Sequence, residues 1–159
     1  MVKIVKNSKM KAKNNFVKIK KAGKKGIGLF AGKNFKKGEA VYSFPRGKII
    51  KKSEIKKLIS KEKKYLDYYR KGEYEIMEPP ARCVNHSCDP NIIERNRIAY
   101  TIKPIKKGDE ITIDYRPIGY REKPFKCYCG SKKCVKLIMG NDNLCYCESG
   151  KKYEKCCGK

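Results

Sequence analysis

Nine cysteines in a chain of 159 residues all fall between Cys83 and Cys157, and seven of them stand at or beyond Cys127. A disulfide scaffold would spread its cysteines more widely. Here the count is odd, and two Cys-x-Cys pairs, Cys127/Cys129 and Cys145/Cys147, are too close for easy bridges between their own members. The opening MVKIVKNSKMKAKNN lacks the apolar core of a signal peptide, so an intracellular setting is expected, cytoplasmic or, in a eukaryote, nuclear. Clustered cysteines in a reducing compartment are metal ligands more often than disulfides, and zinc is the metal expected.

The chain is long enough for one domain of ordinary size with small appendages. No apolar stretch reaches the roughly 18 to 20 residues that a membrane span needs, and no membrane partner is expected. Lysine and arginine number 41 against 16 aspartate and glutamate, a formal net charge of +25. Such a balance favours nucleic acid, acidic proteins or anionic surfaces as neighbours, although lysines scattered along the whole chain are also what a solvated basic surface looks like.

Residues 1–15 read as a basic arm, followed by a short strand from Phe16 to Ile19. From Gly26 to Ile50 short apolar runs alternate with turns, among them Lys36-Lys37-Gly38-Glu39 before the β-type run Val41-Tyr42-Ser43-Phe44. Ser53 is a plausible N-cap for a helix carrying Ile55, Leu58, Ile59, Leu66 and Tyr69, with a break near Ser60 and a stop at Gly72. Tyr65, Tyr68 and Tyr69 would then form a core stripe or line a peptide groove. Further strands are expected at Ile98–Ile102 and Glu110–Tyr115, with Pro117, Gly119 and Pro124 marking the exit from the core.

Three segments carry unusual chemistry. In Gly26-Ile27-Gly28-Leu29-Phe30-Ala31 the glycines allow close backbone approach, but no third glycine completes a dinucleotide fingerprint. Arg82 to Asn91, RCVNHSCDPN, crowds amide, imidazole, hydroxyl and thiol groups that are costly to bury without partners. Its lone histidine suits either a satisfied core position or a metal. The segment GDEITIDY, Gly108 to Tyr115, ends a strand in a phenol.

In this order, GIGLFA, RCVNHSCDPN and GDEITIDY resemble the motifs of the SET-domain protein lysine methyltransferases, and CYCGSKKC, from Cys127, resembles their post-SET segment. The resemblance implies a mainly β (α+β) SET fold of small sheets with a C-terminal pseudoknot, a short helical insert and small zinc-bound C-terminal lobes. It implies an arm over 1–15, a SET domain over 16–117 and a post-SET segment over 118–140. Gly26, Ile27 and Gly28 with Asn85 and His86 would hold S-adenosylmethionine, and Tyr115 would be the catalytic tyrosine. Cys127, Cys129 and Cys134 supply three thiolates, and the resemblance adds Cys88 as the fourth. Phe44 stands where the family often has a tyrosine, with an extra residue before Gly47 and Tyr42 as a candidate substitute. Ile113 stands where Phe or Tyr is common.

The last segment, with Cys145, Cys147, Cys156 and Cys157 around Ser149-Gly150-Lys151-Lys152-Tyr153, resembles the SEC-C motif over 141–159. That implies a second zinc, hence two Zn2+ per chain, and either a recruiting module for protein or ribosome contacts or a plain staple. Cys83, left over, is expected to be a buried small apolar residue. The implied substrate is a protein with an accessible lysine, associated with nucleic acid, unless acidic residues such as Glu73, Glu75 and Glu78 line the groove. A competing function is a non-catalytic basic zinc protein that binds nucleic acid or ribosomes.

Overall fold

A computed structural model describes residues 16–70, 72–116 and 125–138. The chain begins with a hairpin: β1 (Val17–Lys21) runs antiparallel to β2 (Ile27–Ala31), joined through a 3-10 turn at Gly23–Lys25. β3 (Ala40–Ser43) follows, then β4 (Lys48–Lys51), a 3-10 segment Lys52–Lys57, a single-turn helix α1 (Ser60–Lys63), β5 (Leu66–Arg70) and β6 (Glu73–Ile76). Next come the two-residue β7 (Asn85–His86), the hairpin of β8 (Ile92–Arg95) and β9 (Ile98–Thr101), and β10 (Glu110–Ile113). A small hairpin, β11 (Phe125–Lys126) with β12 (Leu137–Ile138), closes the described chain.

These strands form small sheets ordered β1-β2-β10-β7, β3-β9-β8, β4-β6-β5 and β11-β12. β10 lies between β2, antiparallel, and β7, parallel. That central place explains why Ile111, Thr112 and Ile113 are all buried, where alternation would have left one face to water. The main core joins Leu29, Val41, Tyr42, Ile92, Ala99 and Ile111 with their neighbours.

The single helix expected from Ser53 to Gly72 is a 3-10 segment, one turn of α-helix and strand β5. Of the apolar positions on that expected stripe, Ile55 and Leu66 are buried with Ile50 and Tyr74, and Leu58 packs against them. Their periodicity misleads because Leu66 and Tyr68 are held by pairing to Ile76 and Tyr74 on β6. Tertiary pairing overrides the local helical pattern here. Ile59, expected on the stripe, is exposed. Tyr68 and Tyr69 lie on β5 and are also exposed, Tyr69 flanked by the guanidinium groups of Arg46 and Arg70.

Candidate active site

The parallel pairing of β7 with β10 sets Asn85 beside Thr112 and His86 beside Ile113, so two motifs distant in sequence meet. β7 is only two residues long, and Asn91 continues its work on β10. Its Nδ2 donates to the Glu110 carbonyl at 2.8 Å, its Oδ1 accepts the Thr112 N–H at 2.8 Å, and its own N–H donates to the Thr112 carbonyl at 3.1 Å. One asparagine thus satisfies a strand edge that would otherwise bury unpaired backbone groups. Sequence reasoning quoted Asn91 in its motif without seeing this role.

Just past β10, the Tyr115 hydroxyl donates to the Val84 carbonyl. The phenolic proton is thereby committed, so toward any further group this oxygen acts as an acceptor and not as a donor. The Tyr115 N–H donates to His86 Nδ1 at 3.0 Å, with ring centroids 5.5 Å apart. His86 is buried, and its Nε2 lies 3.2 Å from Cys88 Sγ. Both ring nitrogens therefore face protein atoms, which leaves the backbone as the part of His86 that can meet a ligand.

On the other side of Asn85, its Nδ2 donates to the Ile27 carbonyl at 3.0 Å and to Glu110 Oε1 at 2.8 Å, while Lys25 pairs with the second Glu110 oxygen. Gly28 is needed for this approach. A Cβ there would stand 2.9 Å from both Asn85 Nδ2 and Glu110 Oε1. Gly26 takes φ +81°, a left-handed conformation that favours glycine. Next to this segment a cleft of about 420 Å³ opens between Ala22, Lys24 and Lys25 on one wall and Cys127, Tyr128, Gly130, Cys134 and Lys136 on the other. Its volume is that of a small-molecule site. Ala22, Lys24, Lys25 and Lys136 escaped the sequence reading, and Tyr128 and Gly130 entered it only within CYCGSKKC, because the two walls join only in three dimensions.

The sulfur atoms of Cys88, Cys127, Cys129 and Cys134 all lie within 4.8 Å of one another. Cys88 and Cys127 are 3.8 Å apart, far beyond a disulfide bond of about 2.05 Å. That separation is instead the edge of a tetrahedron with zinc–sulfur bonds of about 2.3 Å, roughly 3.8 Å. The donor set and spacing fit zinc. Burial pushes the Cys127 thiol up to about 12, whereas Cys129 is drawn down to about 6, backbone N–H donors at Cys88 and Ser131 outweighing its burial. Ile138 packs against the thiols, and Phe125 reaches Tyr115 with ring centroids 6.4 Å apart. The four-cysteine cluster therefore adjoins the candidate active site, through His86 beside Cys88 and through Phe125 beside Tyr115.

The model of the SET domain matches residues 26–116. This chain belongs to the SET-domain family. The SEC-C motif model matches residues 143–159, so the second cysteine set, Cys145, Cys147, Cys156 and Cys157, lies outside the described residues, as does the basic arm. The chain is 32% identical over 134 residues to Histone-lysine N-methyltransferase Set2 of Drosophila melanogaster, covering 74% of this chain and 6% of that protein. It spans 5% of human Histone-lysine N-methyltransferase 2B, so it corresponds to a small part of such relatives. Two crystal structures share the fold. The methyltransferase domain of human Histone-lysine N-methyltransferase SETMAR aligns with a TM-score of 0.62 at 21% identity, over 77% of this chain and 57% of that one. Arabidopsis thaliana SUVH6 in complex with SAM aligns with a TM-score of 0.59 at 20% identity, over 77% of this chain and 33% of that one.

Within this SET domain the departures at Tyr42 and Phe44 have a structural basis. The register of β3 against β9 shifts between Ala40 and Tyr42, and this bulge turns Val41 and Tyr42 inward together. Tyr42 packs on Phe44 with centroids 5.0 Å apart, and its buried hydroxyl has no hydrogen-bond partner among the described residues. The three acids considered for an acidic groove, Glu73, Glu75 and Glu78, each have an arginine beside them. Glu75 is buried and receives Arg97 Nη1 and Nη2 at 2.8 Å each, Glu73 pairs with Arg70, and Glu78 lies 3.8 Å from Arg82.

Proposed function

We propose that this SET domain transfers a methyl group from S-adenosylmethionine to the side-chain amine of a protein lysine. The observation that carries this reading is the parallel pairing of β7 with β10 that sets Asn85 and His86 near Tyr115, with the Tyr115 hydroxyl anchored on Val84. The cleft between Ala22–Lys25 and Cys127–Lys136 adjoins Gly26, Ile27 and Gly28 in the chain, and with Asn85 and His86 these are the residues we assign to the cofactor. Asn85 Nδ2 is committed to Ile27 and Glu110, so its Oδ1 is what it offers a bound amine. S-adenosylmethionine, when bound, supplies a sulfonium-activated methyl.

Only a neutral lysine amine is nucleophilic. At pH 7 a lysine of pKa about 10.4 begins some 3 units disadvantaged, roughly 4 to 5 kcal/mol. Desolvation beside a cation lowers that pKa, and water can take the proton. Tyr115 is no strong base, because its hydroxyl keeps its own proton and donates it in a hydrogen bond to the Val84 carbonyl. Its oxygen instead accepts an amine N–H and aims the nitrogen lone pair, a contribution of orientation. With Tyr115→Phe we expect cofactor binding to persist and turnover to fall about 10²- to 10³-fold, the scale for losing one positioned polar contact. A labelled-methyl assay against cell extract, paired with cofactor titration, measures both. Near wild-type turnover would overturn the assignment, and salt-sensitive nucleic-acid binding without any transfer would favour the non-catalytic reading.

We further infer the division into a 1–15 arm, a SET domain over 16–117, a zinc post-SET segment over 118–140 and a SEC-C zinc tail over 141–159. With Glu73, Glu75 and Glu78 each paired to an arginine, the reading favours substrates associated with nucleic acid over free basic tails, in an intracellular setting. Elemental analysis should find close to two zinc ions per chain, and a value near one would discard the tail site.

A further inference from the structure

We infer that His86 is a positioning residue that couples the four-cysteine metal centre to Tyr115. The inference rests on the zinc reading of that centre and on Tyr115 as the residue that meets the amine. His86 Nδ1 accepts the Tyr115 N–H at 3.0 Å, so this nitrogen carries a lone pair and no proton. The proton of the neutral ring then sits on Nε2, 3.2 Å from Cys88 Sγ, where it is donated to the sulfur. Asp114 does not disturb this arrangement. Its Oδ1 is 3.6 Å from Nδ1, beyond hydrogen-bond length, and Arg116 holds both carboxylate oxygens.

One imidazole thereby meets the Cys88 sulfur at one end and fixes the backbone of Tyr115 at the other. An Nε2–H donated to a ligand sulfur orients the ring in the tautomer that the Tyr115 amide requires. Ring orientation is further constrained by burial, with 5% of the residue exposed. The arrangement goes beyond a zinc staple: the metal organises the active site through His86 as well as through the chain that covers it.

The test exploits a composition fact, since the chain has a single histidine. In the full zinc-loaded chain labelled with ¹⁵N-histidine, NMR should show one ring with Nε2 protonated, Nδ1 unprotonated and a retained Nε2–H signal. Chelation should replace this by averaged tautomers. An Nδ1-protonated ring in the zinc-loaded chain, or the same spectrum before and after chelation, would overturn the coupling. The second measurement is zinc affinity by competition with a chromophoric chelator, the relevant step being the one that Cys88→Ser removes. His86→Phe, which keeps a ring and loses both nitrogens, should weaken that step about 10- to 100-fold. An unchanged Cys88-dependent affinity overturns the coupling alone, whereas zinc uptake that is the same with and without Cys88 overturns the metal-centre reading and the coupling with it.

Discussion

The insert and the zinc lobe both flank the SET core, and they are attached by different physics. The insert, β4-β6-β5 with its 3-10 segment, has a core of its own in Ile50, Ile55, Leu66 and Tyr74. Each such side chain contributes about 1.5 to 3 kcal/mol on burial. Its far face is latched by Glu75, which Arg97 grips with two hydrogen bonds while also holding the Phe44 and Pro45 carbonyls. In the lobe over 125–138, Ile138 is the one fully buried aliphatic side chain, and the rest of the buried cluster is sulfur. A hydrophobic insert carries its own core, whereas a lobe built on four thiols is expected to need a metal to hold it together. The lobe is also the side on which the cleft and Tyr115 are closed.

Metal removal is the largest way to break the comparison. Structural zinc supplies about 10 to 16 kcal/mol in small zinc-bound peptides, so a chelated chain should lose the lobe outright while the insert stays folded. Limited proteolysis should then cut within the lobe and spare β4 to β6, and methyl transfer should fall to background. Transfer that survives a chelated lobe would show that the two are not coupled.

Arg97→Met attacks the other side. It leaves the Glu75 carboxylate buried without its partner, and should cost about 2 to 4 kcal/mol in denaturant unfolding, less than a fully buried pair because Arg97 reaches solvent. Zinc content should be unchanged. A smaller effect is expected from acid. Burial pushes Glu75 up, but the Arg97 hydrogen bonds and the Gly47 N–H outweigh it and hold the carboxyl below its usual range. A group with a depressed folded value stabilises above the unfolded value and loses that contribution as pH falls through the folded one. The stability gap between wild type and Glu75→Gln should therefore be full at neutral pH and shrink below about pH 4. A gap that grows on acidification would contradict the latch.

Tyr42→Phe should do least. Its hydroxyl is buried and without a partner among the described residues, so its removal should leave stability within about 1 kcal/mol of wild type, on the stabilised side, by thermal unfolding. A loss larger than that would mean that the hydroxyl meets a group such as buried water.

Much of the body was legible because its signals are local. The strands around Leu29, Val41, Ala99 and Ile111 announce themselves by β-type residues between glycine turns. The insert was not legible as strand: Leu58, Leu66 and Tyr69 fall at helical spacing by chance, and only pairing with β6 decides against it. The bulge at Val41 was equally hidden, since nothing in Ala40-Val41-Tyr42 says that two successive side chains turn inward. Glu75 looked like a surface acid because its partner, Arg97, is 22 positions away.

The amino-acid sequence by itself determined the chemistry of this protein: thiols spaced for a metal, glycines where a backbone must come close, and a phenol closing a strand. Those depend on residue type and short spacing, which a linear chain carries intact. Tertiary structure alone decided who meets whom. Cys88 joins Cys127 across 39 positions, and His86 turns one nitrogen to that sulfur and the other to Tyr115. The parallel pairing of β7 with β10 makes those meetings possible, and such pairing is set by the packing of the whole core around Ile111 and Ile113.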